Sequence, residues 1–141
     1  MVNFDRLIEK YKAQMLKALQ HLRYSFQKVK NLSSDLETLS EEDLETWEGF
    51  VSRFSRASDI FINKYLETII LKEDPAFRGL VRDILNQAEK LQLIDSAEAW
   101  LEIRGLRNVT SHEYAEEKLQ ELFESVRKET PRLLEVEKKL K

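Results

Sequence analysis

Apolar side chains recur along most of the chain at intervals of three and four residues. Their mean spacing of about 3.5 residues is the repeat with which helices pack side by side in a bundle. The pattern predicts a first helix from about Phe4 to Lys30 and a second long helix that begins after an N-cap at Ser40. The seam positions of these two helices are Phe4, Ile8, Tyr11, Met15, Ala18, Leu22, Phe26 and Val29, then Leu44, Trp47, Val51, Phe54, Ser58, Phe61, Tyr65 and Ile69.

The third predicted helix begins where the second one ends. We expect Asp74-Pro75 to close the second helix and open the third, because proline in a first turn loses no hydrogen bond. The third helix has a wide apolar face, with inward positions predicted at Phe77, Leu80, Val81, Ile84, Leu85, Ala88 and Leu91.

Two further helices complete the pattern. Asp95 or Ser96 caps the fourth, which carries apolar residues at Ala99, Trp100, Ile103 and Leu106. The fifth begins near Ala115, and Pro131 should kink or end it. The sequence therefore predicts an all-α fold, an antiparallel four- to five-helix up-and-down bundle, in a single domain over residues 1–141.

Composition supports this prediction and narrows the chemistry. The 141 residues include only three glycines and two prolines, which favours helices, and no cysteine, which excludes thiolate chemistry and disulfides. We expect a cytoplasmic protein, since the first residues do not resemble a secretory leader and no apolar run could span a membrane. The net charge of −3 provides no overall attraction to nucleic acid. Residues 1–31 carry seven bases and two acids, whereas residues 32–48 carry seven acids and no base.

One short stretch, residues 104–114, gathers side chains that could do chemistry. Arg104 and Arg107 lie three apart, so both can present a cation to one anion, and a phosphate would suit them. His112 is five residues past Arg107, about 140° around a regular helix. The two can face each other only if the helix ends between them, which the β-branched and polar residues there favour. From the residues alone, a buried polar cluster that joins two helices is the favoured interpretation.

The spacing Arg107-x4-His112-x-Tyr114 resembles the signature of HEPN domains, small all-α proteins often encoded beside a minimal nucleotidyltransferase. A longer run resembles more narrowly the branch of nucleotidyltransferase substrate-binding proteins. That run consists of Leu93, Ile94, Asp95, Trp100, Arg107, Asn108, Ser111, His112 and Tyr114. The likeness in helical layout covers nearly the whole chain.

This resemblance implies a metal-independent endoribonuclease toxin with Arg107, Asn108 and His112 as catalytic residues. Imidazole can move protons at the ribose and leaving oxygens, while guanidinium neutralises charge on the phosphorane. Transesterification needs both an acid and a base, so we expect a homodimer that brings two such histidines into one cleft. Neither a metal nor a cofactor is implied. RNA is the implied substrate, and we expect Arg78, Arg82 and Arg104 to bind its phosphates.

The same resemblance implies a minimal nucleotidyltransferase as antitoxin partner, which transfers AMP onto Tyr114 and so silences the cleft. The plain alternative for Tyr114 is a phenol bonded to a backbone carbonyl. An alternative function for the chain is a non-catalytic substrate- or nucleotide-binding subunit of a two-component nucleotidyltransferase. A purely structural bundle is the third possibility.

Overall fold

The computed structural model describes the backbone of residues 2–109 and 116–141, and the side chains of residues 2–106 and 118–141. Every regular element in these ranges is helical, which confirms the predicted all-α class. The elements are α1 (Phe4–Val29), α2 (Glu41–Asp59), a π-helical segment (Ile60–Leu66), α3 (Glu67–Glu73), α4 (Val81–Lys90), α5 (Ala97–Val109), α6 (Glu116–Leu134) and α7 (Val136–Leu140).

The first helix follows its predicted bounds closely. Its N-cap is Asn3, whose Oδ1 accepts the Arg6 N–H at 3.1 Å. Its inward face is completely apolar apart from one serine, and consists of Met15, Ala18, Leu19, Leu22, Ser25 and Val29. Arg127 of α6 covers its C-terminal end, since Nη1 donates to the carbonyls of Val29 at 2.9 Å and Leu32 at 2.7 Å.

The second predicted helix is confirmed as one continuous helical rod from α2 to α3. Ser40 caps it as predicted, because its Oγ accepts the Asp43 N–H at 3.0 Å. The rod carries most of the buried aromatic mass, and Trp47 stacks on Phe123 of α6 with ring centroids 4.9 Å apart. It runs antiparallel to α1, as shown by the pairing of Lys72 near its end with Asp5 near the start of α1 at 2.6 Å.

The rod departs from α-helical geometry at Ile60–Leu66, a π-helical segment that the seam pattern did not predict. The wider turn still places Phe61, Ile62 and Leu66 in the core. Phe61 contacts Trp100 of α5 at 4.7 Å between ring centroids. The segment therefore forms part of the surface on which α5 packs.

The prediction that Pro75 opens the third helix is wrong. Residues 74–80 lie outside any helix, and α4 begins at Val81. Asp74 forms a turn instead: its Oδ1 accepts the Ala76 N–H at 3.2 Å and its carbonyl accepts the Phe77 N–H at 2.9 Å. The side chain of Leu80, predicted to point inward, is 79% exposed.

The chain turns between α4 and α5 through Gln92, whose φ of 61° lies in the left-handed region. Of the two predicted caps of the fourth helix, Ser96 takes the role, because its Oγ accepts the Ala99 N–H at 3.1 Å. The Ala97 N–H donates to Glu89 Oε1 at 2.8 Å. These two bonds fix the start of α5 against the end of α4.

Pro131 does not end the fifth predicted helix. It lies inside α6, which continues to Leu134 and is followed by α7. Tertiary contacts hold this last turn: the buried Leu133 packs in the core, and Arg132 Nη1 donates to both carboxylate oxygens of Asp95, at 3.0 and 3.1 Å. Their combined stabilisation outweighs the loss of one helical hydrogen bond at proline.

Candidate functional site

The predicted catalytic stretch begins on α5. Residues 104–109 form the last described turns of this helix, so the backbones of Arg107 and Asn108 lie there. His112 and Tyr114 lie outside the described residues. Their assigned roles therefore remain predictions, as do those of Arg107 and Asn108.

The packing of α5 fixes the position of these last turns. Trp100 is 2% exposed and Ile103 is fully buried, and α5 contacts α2, α4 and α6. Arg104 lies one turn beyond Trp100 and is half-buried, with its Nε enclosed by protein. These contacts anchor α5 among three other helices as far as Ile103.

Arg82 lies in an open cleft between α4 and α5 with a volume of about 470 Å³. The cleft is also lined by Asn86, Glu98, Leu101 and Glu102. Two carboxylates and one guanidinium make its charge mixed rather than basic. A mixed cleft favours a ligand with both donors and acceptors over a plain phosphate backbone.

Arg78 lines a different and smaller cleft, with a volume of about 160 Å³, together with Glu67, Leu71, Phe77 and Gly79. Its Nη1 donates to the carbonyl of Phe77 at 2.7 Å, within its own loop. The structure thus places Arg82 in the α4–α5 cleft and Arg78 in a separate cleft lined by α3 and the segment before α4, while Arg104 lies on α5.

The non-helical segment 74–80, which we call the α3–α4 loop, is a surface that sequence reasoning missed. It was assigned to a helix, and Leu80 was assigned to the core. Asp83 stands three residues after Leu80, and an acid at this spacing is common just inside a helix start. That spacing could have indicated that α4 begins after Leu80.

Tyr65, in the π-helical segment, has a phenol whose pKa is raised by its surroundings. Burial, and then the charge of Glu9, raise the pKa of its phenol above the usual 10.0. Its ring stacks on Phe61 at 5.9 Å. The phenol therefore stays protonated at neutral pH and contributes to packing.

Among residues 2–106 and 118–141, whose side chains are described, no group of three or more His, Asp or Glu side chains could hold a metal ion. Within these ranges no helix has the length and apolar character needed to cross a membrane.

The described fold is an all-α bundle in which α5 carries the backbone of Arg107 and Asn108, the first residues of the predicted motif. A family model described as "nucleotidyltransferase substrate binding protein like" matches residues 11–141. The chain belongs to this family, which agrees with the narrower of the two resemblances in its sequence. No curated protein matches it.

Proposed function

We propose that this chain is the substrate- or nucleotide-binding subunit of a two-component nucleotidyltransferase. The observation that carries the proposal is the family match, which spans residues 11–141 and thus includes both the end of α5 and the α3–α4 loop. The mixed charge of the α4–α5 cleft supports it, because Arg82, Glu98 and Glu102 offer both signs of charge to a small polar ligand.

The test uses the minimal nucleotidyltransferase encoded nearest to the gene of this chain. The two proteins are co-expressed, purified and examined by size-exclusion chromatography and isothermal titration calorimetry. A stable complex with a dissociation constant of about 1 μM or tighter is expected. Two purified, folded proteins that do not associate would contradict the proposal.

The ligand is tested on the same complex. Titration with ATP should give tighter binding to the complex than to the isolated nucleotidyltransferase, if this chain contributes contacts. Arg107→Ala should remove that difference, since a guanidinium beside a phosphate contributes a charge-assisted hydrogen bond worth about tenfold or more in affinity. Gly49→Ala, in α2, is the matched control and should leave the ATP affinity unchanged.

A second candidate function is a HEPN-type toxin, favoured by the Arg107-x4-His112-x-Tyr114 spacing. In this function the ribose 2′-oxygen bonds to phosphorus as the bond from phosphorus to the 5′-oxygen breaks. One His112 removes the 2′ proton, and His112 of a second copy protonates the leaving oxygen. Arg107 neutralises the charge on the phosphorane, with Asn108 as its polar neighbour. A homodimer is therefore part of this candidate.

The two candidates separate in one experiment. Wild type and His112→Ala are incubated with a mixed RNA in EDTA, without the nucleotidyltransferase, and the products are examined for 2′,3′-cyclic phosphate ends. A ribonuclease predicts cleavage that the variant loses by a factor on the order of 10² or more. The binding subunit predicts no cleavage by either protein.

Control by AMP transfer is tested on Tyr114. In that reaction the phenol oxygen bonds to the α-phosphorus of ATP, pyrophosphate leaves, and the phenol proton passes to a base. Incubation with the nucleotidyltransferase and ATP should add the mass of one adenylyl group to wild type and none to Tyr114→Phe. An unchanged mass for wild type would exclude this mode of control.

A further inference from the structure

Leu80 lies outside the hydrophobic core of the described residues. It is the N-cap of α4, and its side chain is 79% exposed. A single exposed leucine is ordinary on a protein surface. At an N-cap, however, leucine also lacks the oxygen that would accept a backbone N–H of the first turn.

The chain contains an internal reference for this position. Ser40, the N-cap of α2, has φ −74° and ψ 165°, and its Oγ accepts the N–H of Asp43. Leu80 has nearly the same backbone, with φ −85° and ψ 178°, and also has an aspartate three residues later. Asp83 Oδ2 accepts the Leu80 N–H at 2.8 Å, but the reciprocal bond to a side chain at position 80 cannot form. A serine would fit here and complete the capping box.

The α3–α4 loop holds Leu80 in a fixed place. Gly79 has no room for a side chain, since a Cβ there would lie 2.6 Å from Asp83 Cβ and 2.9 Å from Phe77 Cζ. The Asp74 turn fixes the other end of the loop. An apolar side chain presented by a rigid backbone loses little entropy on binding, which is typical of an interface anchor.

The surroundings of Leu80 indicate what it binds. The Ala97 N–H at the start of α5 bonds to Glu89 at the end of α4, and the two helices pack on each other, so α4 and α5 run antiparallel. The loop before α4 therefore lies toward the end of α5 that carries the motif. The exposed Arg78 and Arg82 flank Leu80, while the carboxylates of Asp74 and Asp83 accept backbone N–H groups of the loop itself.

We propose that Leu80 is an anchor that inserts into an apolar pocket with an acidic rim on the nucleotidyltransferase subunit. Arg78, which is exposed two residues before Leu80, would face a carboxylate of that rim, which gives the contact both its apolar centre and its charged border. The inference rests on the proposed function, because it assigns the surface by which this subunit meets its partner.

The test is Leu80→Ser, measured for both stability and binding. The new Oγ completes the cap, so the thermal midpoint should rise by about 3 °C. Affinity for the nucleotidyltransferase, measured by calorimetry, should fall at least tenfold, because the anchor is lost. Leu80→Met retains an apolar side chain of similar volume and should bind within about threefold of wild type.

Leu91→Ser is the matched control, since Leu91 is the partly exposed leucine at the other end of α4. It should leave the affinity within about threefold of wild type, whatever its effect on stability. If Leu80→Ser bound as tightly as wild type, the anchor would be refuted while the proposed function stood. A lower midpoint for Leu80→Ser would also refute it, because Leu80 would then support its own fold.

Two other outcomes are informative. If wild type formed no complex with the nucleotidyltransferase, both the proposed function and the anchor would be overturned. If analytical ultracentrifugation showed self-association of wild type that Leu80→Ser abolished, with partner binding unchanged, the occupant would be a second copy of this chain. That result would overturn the assignment to the nucleotidyltransferase.

Discussion

Replacing each of two glycines by alanine should change stability in opposite directions, and the structure explains both signs. At Gly49, within α2, an added Cβ would meet no atom within 4 Å. Alanine at this position reduces the conformational freedom of the unfolded chain and favours the helix. Gly49→Ala should therefore stabilise the protein by about 0.5–1 kcal/mol. At Gly79 the same methyl would lie 2.6 Å from Asp83 Cβ, about 1 Å closer than ordinary contact.

The expected loss at Gly79 has two parts. Relief of the overlap must shift backbone or Asp83, a strain of about 1–3 kcal/mol. The shift also weakens the hydrogen bond from the Leu80 N–H to Asp83, worth about 1 kcal/mol. A total near 3 kcal/mol should lower the thermal midpoint by roughly 10 °C, whereas Gly49→Ala should raise it by about 2–4 °C.

Differential scanning calorimetry of the two variants beside wild type measures both shifts. Because the α3–α4 loop positions Leu80, Gly79→Ala should also weaken binding to the nucleotidyltransferase at a temperature where the variant is folded. Gly105→Ala is a second control, since an added Cβ there also meets nothing within 4 Å. A midpoint for Gly79→Ala equal to or above wild type would refute the close packing of this loop.

Three further predictions concern contacts that hold the bundle. Arg127→Met removes two hydrogen bonds at the end of α1 and should lower the free energy of unfolding by about 3 kcal/mol in urea titrations; a change below about 1 kcal/mol would contradict this capping role. Burial acts to raise the pKa of Asp95, but the hydrogen bonds and charge of Arg132 outweigh it, so the net pKa lies below its ordinary value. The carboxylate therefore adds stability above about pH 4, and this stability is lost as the pH falls. The difference in free energy of unfolding between wild type and Asp95→Asn, which is below about 1 kcal/mol, should vanish near pH 2. Ser40→Leu should destabilise the protein by about 1 kcal/mol through loss of the bond from Asp43, and an unchanged urea midpoint would refute the cap.

The sequence was sufficient to predict the elements that local rules determine. The apolar repeat located α1 to within one residue of its observed end at Val29, and the Ser40 cap located the start of α2. Both depend on side chains close in the chain, so spacing alone identifies them. The all-α class followed from the same pattern.

Local rules failed where distant contacts or competing turns decide the structure. The side chain of Asp74 forms a turn that keeps Pro75 out of a helix. Pro131 stays inside α6 because the following turn is held by Arg132 and the core. The π-helical segment packs against α1 and α4, and a periodic pattern does not encode such distant contacts.

The candidate site also has features that the sequence predicts and features that it does not. The spacing of Arg107, His112 and Tyr114 can be recognised in the sequence because it is a local motif. The exposed position of Leu80 cannot be recognised in this way, because it depends on the turn that keeps residues 74–80 out of a helix. The mixed charge of the Arg82 cleft also arises from residues of two helices, so the sequence alone suggested only its basic member.

Both candidate functions share a partner, and this determines what each experiment can establish. The toxin is neutralised by a nucleotidyltransferase, and the binding subunit works with one, so loss of affinity in Leu80→Ser would fit either. RNA cleavage separates them, because only the toxin requires proton transfer by His112.

The α4–α5 cleft that contains Arg82 provides an independent test, which compares binding of a small polar ligand with binding of RNA. If Glu98 and Glu102 contribute to ligand binding, Glu98→Gln should weaken the affinity for a small amine- or hydroxyl-bearing substrate. If the cleft instead binds RNA, the same removal of a carboxylate should strengthen binding to RNA phosphates. The sign of that single change thus indicates which class of ligand the cleft is built to receive.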